Sequence, residues 1–117
     1  AVSGMRRLVQ IVSTFPYKPQ SAQPSMLIVA PPACGEGAGG VPAAGRSIAE
    51  SLRLAPLYQK LALELGHSFF DAGAVAKASP IDGVHLDREM TAAIGEALAG
   101  PVSELLSGGR IRLEEKV

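Results

Sequence analysis

The chain has 117 residues, 47% hydrophobic and 19% charged, and its 11 basic and 11 acidic side chains balance to a formal charge of zero. That length suits one small domain, which buries roughly two-thirds of the surface its unfolded chain exposes. The neutral balance excludes the basic footprint of a nucleic-acid or anionic-membrane binder, 4% aromatics and no Trp leave no base-stacking platform, and one cysteine makes no internal disulfide.

Residues 2 to about 15 open with helical spacing: Met5, Leu8, Val9 and Val12 fall on one face, with no capping residue in front. Pro16, Pro19 and Pro24, among polar residues, predict a loop. Met26-Leu27-Ile28-Val29-Ala30 is a short continuous apolar run, which predicts a strand buried on both faces of a parallel sheet. Pro31 and Pro32 stop it. Residues 31–45 form a Gly- and Pro-rich loop, long enough to be functional.

From Arg46 to Leu65 the helical period returns, with Leu54, Tyr58, Leu61 and Leu65 on one stripe and a kink or restart expected at Pro56. Gly66 is a C-terminal stop. Ser68-Phe69-Phe70-Asp71 predicts a second short strand. A last helix is expected from about Arg88 to Ala99, capped by Asp87, with Met90, Ile94 and Leu98 inward. Pro101 should bend or end it, with a shorter helical piece to Leu106. The domain is thus read as residues 1–106, and residues 107–117 as a disordered or appended tail. The order predicts an α/β fold with one strand–helix–strand crossover. Two strands are too few for an independent parallel sheet, so the apolar strand needs partners from elsewhere.

No apolar run is long enough to span a bilayer, no Cys/His cluster has zinc spacing, and no signal peptide opens the chain. The expectations are no membrane, no nucleic acid, no metal, no cofactor and a cytoplasmic location.

The most informative stretch is Pro80-Ile81-Asp82-Gly83-Val84-His85-Leu86-Asp87. It sets a carboxylate three residues before a histidine, in a turn opened by proline and loosened by glycine. A histidine acts as general base when a partner fixes its tautomer and orientation, and a carboxylate on the far ring nitrogen does both. Asp82 and His85 are two-thirds of a nucleophile–base–orienter relay. On spacing alone, an Asp turn capping a loop before a helix is the plainer reading.

Three segments add to this. Met26-Leu27-Ile28-Val29-Ala30-Pro31-Pro32, Phe69-Phe70-Asp71-Ala72-Gly73 and Asp82-Gly83-Val84-His85-Leu86, in that order with a helix between the first two, resemble the C-terminal half of SGNH (GDSL-type) hydrolases. The likeness is greatest to the small bacterial arylesterase and carbohydrate acetylesterase branch. It spans about residues 1–106. It implies a three-layer α/β/α fold with a flavodoxin-like parallel sheet and a serine esterase or acyltransferase acting on a small ester. It implies Asp82 and His85 as the His–Asp of a Ser-His-Asp triad, with Pro31, Pro32 and Ala33 lining the acyl side of a substrate pocket. It also implies self-association into a homo-oligomer. The Gly-Asp-Ser-Leu-like block with the nucleophile and the Gly-x-Asn-Asp block with an oxyanion donor do not occur here. The chain therefore looks truncated on its N-terminal side, with the nucleophile expected from an N-terminal segment and no activity expected from the chain alone.

Other readings stay open. A degenerate or truncated half would serve as a non-catalytic interaction module. Gly35-Glu36-Gly37-Ala38-Gly39-Gly40 matches G-x-G-x-x-G, which admits a nucleotide-binding half-domain with Asp71 as the ribose acid, although four residues separate the strand from the first glycine and Asp71 lies too far on. Cys34, beyond the first strand, is a nucleophile candidate or a small packing residue. Ser47, Ser51 and Ser79 sit in no sharp elbow, His67 follows a helix-ending glycine, and Arg46 and Lys77 read as surface charges.

Overall fold

A computed structural model describes residues 1–108 of the chain; of the tail expected over residues 107–117, all but Ser107 and Gly108 lie outside the described residues. Helix α1 (Val2–Thr14) begins with no side-chain cap, as the sequence predicts, and buries Val9. Strand β1 (Leu27–Ala30) pairs in parallel with β2 (Ser68–Asp71), in the register Leu27↔Ser68 through Ala30↔Asp71.

The helical stretch between the strands is two helices, not one with a kink at Pro56. Helix α2 (Ile48–Leu52) is capped by Ser47, whose hydroxyl accepts from the Glu50 amide at 3.1 Å. Arg53 separates it from α3 (Leu54–Leu65), so Pro56 falls in the first turn of α3. There a missing N–H has no rung to break, because the first four amides of a helix lack an intrahelical acceptor. Gly66 closes α3 in the left-handed conformation, φ 75°, as expected.

Helix α4 (Arg88–Leu106) also differs from expectation: it runs unbroken through Pro101. The proline removes one rung, and the helix continues for more than a turn beyond it. The carbonyl its ring crowds belongs to Ala97, and Ala99 and Gly100 beside it are small. Asp87 caps α4 as predicted, its side chain accepting from the Met90 amide at 2.8 Å.

The core is one cluster, Val9, Ile28, Ala30, Tyr58, Leu61, Ala62 and Phe69, where α1 and α3 meet the strand pair. Along β1 burial alternates: Ile28 and Ala30 are buried, while Leu27 and Val29 are only half-buried. Within this chain the apolar strand is therefore sealed on one face, not both. The helix α4 has no fully buried residue; Met90 and Ile94 are half-covered. An open groove of about 330 Å³ runs between α1 and the β1 segment, lined by Met5, Leu8, Val9, Val12, Met26 and Ile28 among others. The strand beside it carries pairing on only one edge among the described residues.

Candidate active site

The turn that follows β2 carries the candidate chemistry. It is closed by the Ser79 amide donating to the His85 carbonyl at 2.7 Å and crossed by the Gly83 amide donating to the Ser79 carbonyl at 2.7 Å. Inside it, one oxygen of Asp82 accepts from the backbone amides of both Val84 and His85, each at 2.9 Å. The other carboxylate oxygen meets His85 Nδ1 in a very short contact. The structure thus brings the two predicted residues together: the acid holds Nδ1, the ring nitrogen far from the Nε2 edge that would face a nucleophile. The His85 side chain is 81% exposed and that of Asp82 28%, so the ring, with its free Nε2 edge, stands out from the turn that anchors its orienter.

The Val84 amide, the His85 ring and the His85 amide hold the Asp82 carboxyl down at about 2, well below the ordinary aspartate range. It stays ionised throughout the working range of a histidine base. The folded value lies below the unfolded one, so the stabilisation from Asp82 is complete above the ordinary carboxylate range and disappears as pH falls through about 2. Thermal unfolding of the wild type and of Asp82→Asn, followed from about pH 5 downwards, is expected to converge as pH approaches 2. A gap that stays constant to that pH contradicts this geometry.

The Gly-rich segment lies against the same turn. The Gly35 amide donates to the Gly83 carbonyl at 2.8 Å, Ala38 to Ile81 at 2.9 Å and Ala43 to Asp82 at 2.8 Å. A phosphate cradle presents such amides to its ligand; here three of them are spent on carbonyls of the protein. Asp71 is likewise engaged locally, accepting from the Gly73 amide at 2.9 Å. Neither feature supports a dinucleotide site.

Pro31, Pro32 and Ala33 line a cleft of about 320 Å³ at the carboxyl ends of both strands, together with Ser51, Asp71 and Lys77. Neither Asp82 nor His85 contributes to its lining. Cys34 lines a different groove, with Arg46, Ser47 and Glu50 and without either dyad residue, and its amide donates to Ser51 Oγ at 2.9 Å. All three serines are engaged locally: Ser47 caps α2, Ser51 donates to the Ile48 carbonyl at 2.8 Å, and Ser79 Oγ accepts from the Ile81 amide at 3.1 Å. Arg46 and Lys77 are exposed, as predicted, and His67 lies with Met26 and Leu105 at the far end of the strands. The sequence reading missed the backbone partners of the dyad turn. Only the pair of glycines, one in each segment, hints at them. Among the described residues no group of three or more His, Cys, Asp or Glu could hold a metal ion, and no helix is long and apolar enough to cross a membrane.

No protein-family model matches the chain, and no curated protein does. Solved structures match it well. A provisionally named arylesterase from Agrobacterium tumefaciens str. C58 is 70% identical, with a TM-score of 0.87, over 90% of this chain and 50% of its own. A carbohydrate acetylesterase family member from Sinorhizobium meliloti is 43% identical, with a TM-score of 0.79, over 92% and 52%. The native aryl esterase of M. smegmatis is 28% identical, with a TM-score of 0.76, over 89% and 50%. This chain spans about half the length of each, consistent with a C-terminal half. In sequence and in fold, it is similar to about half of each of these SGNH-type arylesterase and carbohydrate acetylesterase structures.

Proposed function

We propose that this chain supplies the base and its orienter, His85 and Asp82, to a serine ester hydrolase whose nucleophile lies in the half of the domain outside these 117 residues. The observation that carries the reading is the Asp82 carboxylate on His85 Nδ1 within a turn that leaves the ring exposed. The open groove beside β1 and the half-length span of the relatives support a complementary segment that adds strands at that edge.

The chemistry follows from the arrangement. The serine hydroxyl attacks the carbonyl carbon of a small carboxylic ester while His85 Nε2 takes its proton. The tetrahedral oxyanion then collapses, and the imidazolium returns the proton to the departing alkoxide, which leaves as the alcohol. Water attacks the acyl-enzyme in the same way, with His85 again the base, and the acid departs; a second alcohol in place of water gives acyl transfer. Throughout, Asp82 stays ionised, holds the proton-bearing Nδ1 and stabilises the imidazolium.

The test joins this chain to the half of the Agrobacterium protein that it does not span. The joined protein is expected to hydrolyse an aryl acetate and to take a fluorophosphonate label on a serine of the added half. This chain by itself is expected to do neither. Label on this chain alone, or a folded joined protein that never reacts, defeats the reading.

A further inference from the structure

The loop after β1 and the turn after β2 interlock through two glycines, and neither loop could carry a side chain there. A Cβ on Gly37 would meet the Asp82 carbonyl carbon at 2.9 Å, the Gly83 nitrogen at 3.1 Å and the Ile81 oxygen at 3.1 Å. A Cβ on Gly83 would meet the Gly35 carbonyl oxygen at 2.0 Å. Both glycines are left-handed, φ 71° in each, so each position excludes a side chain by backbone conformation as well as by space. Around this contact the amides of Gly35, Ala38 and Ala43 hold the carbonyls of Gly83, Ile81 and Asp82. Three successive residues of the dyad turn are thus tied, one by one, to the other loop.

The geometry points to the 35–43 loop as a positioning element: through Gly37 and its amides on residues 81–83, it sets the orientation of Asp82 toward His85. The sequence motif that resembles a nucleotide cradle is used here instead as part of this clamp. The Asp82 side chain leaves the backbone between two of the clamped carbonyls, so a shift of a few tenths of an ångström in the turn moves both carboxylate oxygens together. One of those oxygens holds two amides and the other the ring. The inference rests on the dyad being catalytic only for its consequence in turnover; the positioning itself is a property of this chain.

The experiment titrates the Asp82 carboxyl carbon by ¹³C NMR in the full chain and three variants. Gly37→Ala places a methyl group against the Asp82 backbone. Gly45→Ala is the matched control: its φ of 66° imposes similar backbone strain, and nothing lies within 4 Å of its Cβ. Ala43→Pro deletes the single amide that holds the Asp82 carbonyl; Pro42 before it already has the extended ψ of 148° that a following proline requires. In Gly37→Ala the carboxyl is expected to move up from about 2 toward the ordinary aspartate value near 3.8, in Ala43→Pro in the same direction by less, and in Gly45→Ala not at all. A folded Gly37→Ala that titrates like the wild type overturns the inference. Should that variant fail to fold by circular dichroism, Ala43→Pro decides in its place, and an unmoved carboxyl there overturns it equally. Failure of the esterase reading shows up separately: the carboxyl shifts as expected, while aryl acetate hydrolysis by the joined protein is indifferent to His85→Ala.

Discussion

Replacing His85 with alanine in the joined esterase is expected to lower kcat by about 10⁴- to 10⁶-fold with KM little changed, because removing one member of a triad leaves only binding and oxyanion stabilisation. The side chain is 81% exposed and takes no part in the core, so the protein should fold as before. Asp82→Asn is the more informative partner. The asparagine oxygen can still accept from the Val84 and His85 amides, so the turn survives. Its NH₂ group, however, now faces Nδ1 as a donor. Nδ1 must then accept, the ring proton moves to Nε2, and the base has no lone pair for the nucleophile. A loss of about 10⁴-fold is expected from the wrong tautomer alone. The measurement is aryl acetate hydrolysis at neutral pH; if either variant keeps its rate within an order of magnitude, the assignment of base and orienter is wrong.

The second large effect is on stability. Leu61 is 2% exposed, in the middle of α3 where the helix meets both strands and α1. Leu61→Ala removes its side chain from the centre of the cluster and leaves a cavity that the strand pair cannot collapse into, an expected cost of about 2–5 kcal/mol. At roughly 4 °C per kcal/mol, the melting temperature should fall by about 8–20 °C. Leu63, two residues on, is 51% exposed and points away. Its replacement by alanine is expected to cost under about 0.5 kcal/mol. Calorimetry on the two variants compares buried and exposed leucines on one helix, and equal melting temperatures would mean that α3 packs through another face.

The Arg6–Glu64 ion pair between α1 and α3 is a weaker tie. The side chains are 38% and 50% exposed, open enough for screening by water and salt to leave such a contact little net value. What fixes α1 against α3 is the shared buried cluster, against which Val2 and Met5 of α1 and Leu54, Ala55 and Leu65 of α3 pack.

Helix periodicity, the two apolar strand runs, the Asp87 cap and the Gly66 stop were all legible in the sequence, because each depends on residues within a few positions of one another. The pairing of Asp82 with His85 was legible for the same reason: three residues in a tight turn put carboxylate and ring within reach of each other, before the 35–43 loop sets how they meet. The restart expected at Pro56 comes three residues earlier and Pro101 does not end its helix, because a proline's effect depends on which rung it removes, and that is set by where the helix starts and what surrounds the crowded carbonyl. The break fell at Arg53, and α4 ran on through Pro101. The apolar run 26–30 calls for burial on both faces with partners from elsewhere, and this chain covers only one face of the strand it forms. Tertiary structure alone decided the rest. It seated Gly37 on the backbone of Asp82 and Gly83, spent the amides of a motif that looked free for a phosphate, and turned Pro31–Ala33 toward a cleft that the dyad does not line. Those contacts join segments far apart in the chain, and they rest on backbone atoms, which every residue shares; no side-chain pattern announces them.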